Sequence, residues 1–180
     1  MSLSTRAIAG IAGVVVVGAA SLGTGIYLAN DAGKPEEAKA MLVVGTSTVS
    51  TAPSPTCYND GKPLGEDVLS KCLKEIQQAR KDKKLPKLDV RASDRIGVGV
   101  PEDLAEKGWF ALTNGGAEGQ AALAGGPAEA VLTGVTYSGS KSAAGLLSTN
   151  DVTSVTVVAQ DKKTQEYYAV WAFDLTNKTS

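Results

Sequence analysis

The chain has 180 residues, and its 18 Lys+Arg against 19 Asp+Glu leave a net charge of −1, so nothing draws it generally to nucleic acid. It contains no histidine, which removes the commonest general base, the commonest transition-metal ligand and any side-chain switch near neutral pH. Twenty glycines and abundant Ser, Thr and Val point to an all-β extracellular module rather than a helical enzyme.

The first segment carries Arg6 and then no charge until Asp31. At about 1.5 Å per residue, the uncharged run from Ala7 to Ala29 is long enough to cross a hydrocarbon core of roughly 30 Å. Arg6 before the run, and Asp31, Glu36 and Glu37 after it, set the N-terminus inside and the remainder outside the cytoplasmic membrane. Two readings stand: an uncleaved signal anchor over residues 1–30, or a signal peptide cut within Gly18 to Ser21. Both export the rest of the chain. Within the run, Ala9 with Gly13 and Ala19 with Gly23 have the small-xxx-small spacing that lets transmembrane helices approach closely. Residues 31–40 are polar and read as a linker, and residues 41–180 as the extracytoplasmic domain.

"MLVVGTSTVST", Met41 to Thr51, is rich in β-branched residues and reads as a first strand. Next come the chain's two cysteines, Cys57 and Cys72. Their spacing is not CxxC, and no second Cys or His pair completes a zinc tetrahedron. In an exported domain the pair predicts a disulfide, which stabilises by about 3 kcal/mol in the chain-entropy picture. Inside the clip, Tyr58 to Pro63 is a turn, and "GEDVLSKCLKEIQQARK" is a short helix with Val68, Leu69, Cys72, Leu73 and Ile76 on one face. Glu66 and Asp67 suit its positive N-terminal end. Arg80, Lys81, Lys83, Lys84 and Lys87 then cluster, either as a solvated helix end and loop or as a contact for anionic headgroups or envelope polymers.

Beyond the helix, "LDVRA" and "DRIGVGVP" read as strands, the second alternating Ile96, Val98 and Val100 with Gly97 and Gly99. "PEDLAEKG" gives one helical turn between Pro101 and Gly108. "WFALTNGG" and "AVLTGVTYS" read as further strands, and "VTSVTVVAQ" with "EYYAVWAFDL" as a hairpin. In its second arm Tyr167, Ala169, Trp171, Phe173 and Leu175 share a face. "NGGAEGQAALAGGPAEA" and "SGSKSAAGLLSTN" read as loops. In the second, Leu146 and Leu147 either fold back to the core or form a small contact patch. The fold class is mainly β: an immunoglobulin-like sandwich of about seven short strands with one short helix, anchored on Trp109 and Trp171.

No catalytic constellation emerges. Ser138 and Lys141 form an S-x-x-K, but within a Gly/Ser segment and with no K-T-G after it. "GVGVPE" lacks the third glycine of a nucleotide loop, acidic residues are not at calcium-loop intervals, and the Asn177-Lys-Thr sequon falls at the chain end. No cofactor or metal is expected.

"TCYNDGKPL" with its second cysteine, "DRIGVGVPEDLAEKGWFALTNG" (Asp94 to Gly115) and "VWAFDL" (Val170 to Leu175) together resemble a group of small actinobacterial envelope lipoproteins classified only as a domain of unknown function. The resemblance runs from Leu42 to Leu175. It implies an exported, disulfide-clipped β-domain and supplies no activity. Asn30 stands where those lipoproteins carry a lipid-modified cysteine, so the uncharged helix takes the place of a lipid tether. The expected function is a non-enzymatic accessory or scaffold protein that docks on a larger membrane complex of the cell envelope. The alternative is a binding module for a small molecule or an anionic polymer.

Overall fold

The computed structural model describes residues 38–178. The segment read as a membrane anchor, with Ala9, Gly13, Ala19 and Gly23, lies outside the described residues, and no helix among those described is long and apolar enough to cross a membrane.

The expected first strand is two. β1 (Ala40–Val44) and β2 (Ser47–Thr51) form a tight antiparallel hairpin. Gly45 makes the reversal at φ +57°, a left-handed conformation that glycine adopts without strain, and its N–H donates to the Arg95 carbonyl at 2.9 Å. The described fold includes residues before 41. Ala38 and Ala40 are buried, and the Trp171 indole N–H donates to the Ala38 carbonyl at 2.8 Å.

A short 3-10 turn (Pro55–Cys57) leads to helix α1 (Glu66–Lys81). β3 (Lys87–Val90) and β4 (Arg95–Gly99) follow, then the short helix α2 (Glu102–Lys107), β5 (Trp109–Thr113) and β6 (Ala121–Ala124). After another 3-10 turn (Ala128–Ala130) come β7 (Tyr137–Ser142), a third such turn (Ala143–Gly145), β8 (Val152–Gln160) and β9 (Tyr167–Asn177). The strands form two sheets, ordered β2-β1-β4-β7 and β3-β9-β8-β5-β6. All pairs are antiparallel except β3 with β9, which run parallel. The described residues thus hold nine strands where about seven were expected; α1 is the expected short helix, and α2 is the expected helical turn between Pro101 and Gly108.

Period-two alternation explains the layering. Leu42, Ile96 and Val98 from the four-stranded sheet meet Ala111, Val155, Val157, Trp171, Phe173 and Leu175 from the five-stranded one in the main core. On the other face of the larger sheet, Phe110, Val158 and Val170 stand opposite one another across β5, β8 and β9. They form a second cluster with Cys57, Cys72 and Val131, and Leu69 and Ile76 of α1 pack on it. The described residues are therefore sheet on sheet, with a helix laid over the outside of one.

That helix corrects part of the expected apolar face. Cys72 is fully buried and Leu69 and Ile76 half-buried, but Val68 and Leu73 are 40% and 43% exposed. The sheet contacts only a narrow stripe centred on Cys72, and the two exposed residues lie on its flanks.

The hairpin of β8 and β9 is as expected except at its mouth. Ala159 faces Ala169 while Gln160 faces Tyr167, so Tyr168 is an extra residue on β9. This bulge reverses the alternation beyond it. Tyr167 consequently packs on the second cluster, and Tyr168 joins the main core in place of the expected Tyr167.

Three other expectations fail. "AVLTGVTYS" is not one strand: Ala130 ends a 3-10 turn, Leu132 makes only an isolated bridge to Trp109, and β7 starts at Tyr137. Both glycine-rich stretches read as loops contain strands, β6 and β7. Ladders with β5 and β4 impose the extended conformation on these small residues.

Candidate functional site

The disulfide is formed. Cys57 and Cys72 are joined at 2.03 Å with their Cα atoms 4.9 Å apart, and neither is a free thiol. The bond ties the 3-10 turn before it to the buried stripe of α1, fixing how the helix lies across the sheet.

Beside the bond is an open slot of about 220 Å³, lined among others by Thr51, Ser54, Glu75, Lys84, Trp171 and Ala172. Glu75 projects from α1, and one of its oxygens, Oε2, accepts from the Ser54 hydroxyl at 3.1 Å and from the Thr56 hydroxyl. The segment joining β2 to α1 therefore fixes the carboxylate's direction. Apolar lining comes from Ile76, Leu85 and Pro86. Next to the slot, Tyr58 bridges to Ala169. Partial burial, reinforced by the carboxylates of Asp103 and Asp60, holds its phenol above the ordinary value.

The basic stretch does not act as one surface. Arg80 turns inward, its Nε donating to Asp174 Oδ1 of β9 at 3.2 Å, while its Nη2 is buried without a partner. Lys84 lies 3.5 Å from Asp82. Lys81, Lys83 and Lys87 are exposed, Lys83 at φ +56° just past the helix end and Lys87 at the start of β3.

Leu146 is not an exposed contact. It is 5% exposed in the main core, and its carbonyl accepts from the Thr113 hydroxyl at 2.7 Å. Leu147 is half-buried against the same core. A side chain at Gly115 would come within 2.0 Å of the Leu146 carbonyl, so close approach of two backbones places this turn.

Ser138 and Lys141 lie on either side of a bulge in β7, where Gly139 takes φ +69°, and each is engaged with backbone groups. The Ser138 hydroxyl accepts from the Val98 N–H at 2.9 Å and donates to the Gly139 carbonyl, while the Lys141 ammonium donates to the Ala122 carbonyl at 3.0 Å. The serine fills a break in the ladder between β4 and β7, where pairing shifts between Gly97 and Gly99. Asn177 is likewise occupied: its amide N–H groups donate to the Ser148 and Asn150 carbonyls and its oxygen accepts from Thr153. Among the described residues, no group of three or more Asp, Glu, Cys or His is placed to hold a metal.

Sequence reasoning missed the slot because its parts, from Thr51 to Ala172, come together only in the fold. One local signal existed: Pro86, which cannot donate to a ladder, stands directly before β3. Comparison with family models, with curated proteins and with solved structures found no match.

Proposed function

We propose that this chain is a non-enzymatic accessory protein of the cell envelope. The run over residues 7–29 holds it in the cytoplasmic membrane with the N-terminus inside, and the clipped β-domain works outside, docked on a larger membrane complex. The observation that carries this reading is the Cys57–Cys72 disulfide, since such bonds persist in oxidising compartments, and the apolar run supplies the route out. The chain is of one kind with the exported lipoproteins it resembles, its sandwich immunoglobulin-like and its tether a helix in place of a lipid. Ala9, Gly13, Ala19 and Gly23 supply the helix's contact with its partner. The absence of catalysis leans on composition, with no histidine and both thiols consumed, and on the prior engagement of Ser138 and Lys141.

Purifying tagged full-length protein from its native membranes in mild detergent, with mass spectrometry of the proteins that accompany it, tests the reading. A stoichiometric set of membrane subunits is expected; a lone chain overturns it. The exposure of Lys81, Lys83 and Lys87 favours a second reading, in which the domain binds an anionic envelope polymer. Retention on such a polymer that weakens with salt would support it.

A further inference from the structure

The slot beside the disulfide lies where the ladder of the larger sheet is interrupted. Backbone bonding alternates along β9. Asn177 donates toward the β8 side, to Asp151 at 2.8 Å, whereas Asp174 and Lys178 donate the other way, to Pro86 at 3.0 Å and Val90 at 2.8 Å. Extended backbone keeps this alternation, so Ala172 points its N–H and carbonyl away from β8, toward the slot it lines. Parallel pairing with β3 starts only at Lys87 opposite Asp174. The residue that would donate next, to the Ala172 carbonyl, is Pro86, which has no N–H. Pairing on that edge resumes at the bridge between Tyr58 and Ala169. Between the two, Ala172 offers a guest one donor and one acceptor with peptide geometry.

Glu75 supplies the second element. Both hydroxyls that hold it converge on Oε2, and no hydrogen bond among the described residues reaches Oε1. Lys84, the cation in the lining, is drawn to Asp82. The slot thus presents an oriented carboxylate, and the lysine of its lining lies beside Asp82 instead.

Size and chemistry narrow the guest. A dry cavity of about 150 Å³ holds benzene, so about 220 Å³ admits one or two small residues and excludes a nucleotide or a partner helix. An anion would meet Glu75, and a purely apolar guest would leave the Ala172 pair unanswered. We propose that the slot binds the amino-terminal end of a peptide. The ammonium sits at Glu75 Oε1, the first peptide unit lies against the N–H and carbonyl of Ala172, and a small first side chain lies between Ile76 and Leu85. Capture of a chain end by a fixed carboxylate and backbone groups is an established recognition mode. This goes beyond the docking role and stands on the slot whether or not the chain is tethered.

The test is an NMR titration of ¹⁵N-labelled full-length protein in mild detergent with alanyl-alanine amide, and with the same peptide acetylated at its amine. The free-amine peptide is expected to shift the Trp171 and Ala172 amide signals saturably, and acetylation to weaken binding about tenfold or more. Glu75→Gln keeps acceptors for Ser54 and Thr56, and it should remove the preference for the free amine. Equal binding of the two peptides, a preference that survives Glu75→Gln, or no saturable shift up to about 10 mM overturns the proposal. Should Glu75→Gln fail to fold, the comparison of the two peptides on the wild-type protein still decides.

Discussion

The two sheets enclose one core by opposite means. In the larger sheet, β8 and β9 run nine and eleven residues with branched or aromatic side chains on both faces, because a second sheet covers one face and α1 the other. In the smaller sheet, β4 carries side chains toward the core at Ile96 and Val98 and bare backbone outward at Gly97 and Gly99. Among the described residues, no helix lies on that outer face. Tyr137, from the neighbouring strand, lies over it instead: a Cβ at Gly97 would come within 2.1 Å of the tyrosine oxygen. A Cβ at Gly99 would come within 3.3 Å of the Met41 methyl group. A sheet flanked by other layers is stabilised by side-chain mass, whereas one facing solvent is made thin so that its own neighbouring strands can cover it.

The sharpest break of this comparison is at Trp171, which is 1% exposed and also holds Ala38. Trp171→Ala should cost about 3–5 kcal/mol, read as a lowered urea midpoint, and should loosen the entry to β1 as well as the larger sheet. Replacing both Cys57 and Cys72 by serine should cost about 3 kcal/mol. Hydrogen exchange should then rise in α1 well before β8, because the bond holds the helix and not the sheet. Gly97→Ala should cost about 1–3 kcal/mol by overpacking against Tyr137. Paired with Tyr137→Ala in a double-mutant cycle it should be strongly non-additive, and additivity would show that the tyrosine does not cover the glycine.

Which region the sequence revealed obeys the same division. Alternating branched residues made β8 and β9 readable, and a pair of cysteines following a segment read as an export signal made the clip readable. The bulge at Tyr168 was not, since a single inserted residue leaves no mark on composition. β6 (AALA) and β7 (YSGSKS) lack strand-forming residues and are extended only because β5 and β4 pair with them. Conversely, "AVLTGVT" has the residues of a strand but finds no ladder beyond a bridge at Leu132. The slot needed both the clip and a gap in a ladder, and only Pro86 hinted at the gap.

Smaller effects sharpen the picture at single groups. Ser138→Ala removes the acceptor of the Val98 N–H and should cost about 1–2 kcal/mol by thermal or urea unfolding. An unchanged midpoint would show that the Val98 N–H does not depend on this hydroxyl. Smallest is Asp161 in the hairpin between β8 and β9. The backbone N–H groups of Thr164 and Lys163 reach its Oδ1 at 2.9 and 2.7 Å and hold its carboxyl below the ordinary carboxylate value. With a folded value below the unfolded one, the contribution is present above the unfolded value and is lost as pH falls through the folded one. The unfolding midpoint of Asp161→Asn should therefore fall less steeply with acid than that of the parent, and identical acid profiles would sink this assignment.

β9 is the last strand of the described residues, yet β8 and β3 both pair with it, Tyr58 and Leu64 bridge to it, and Ala38 is fastened to its tryptophan. Ribosomes deliver the chain from the other end. Until that strand emerges, β3 has no partner, α1 has no complete surface to lie on, and the start of β1 has no fastening. The segment from β1 to β8 therefore stays incompletely packed until β9 has emerged, and then closes in one late cooperative step dominated by contacts distant in sequence.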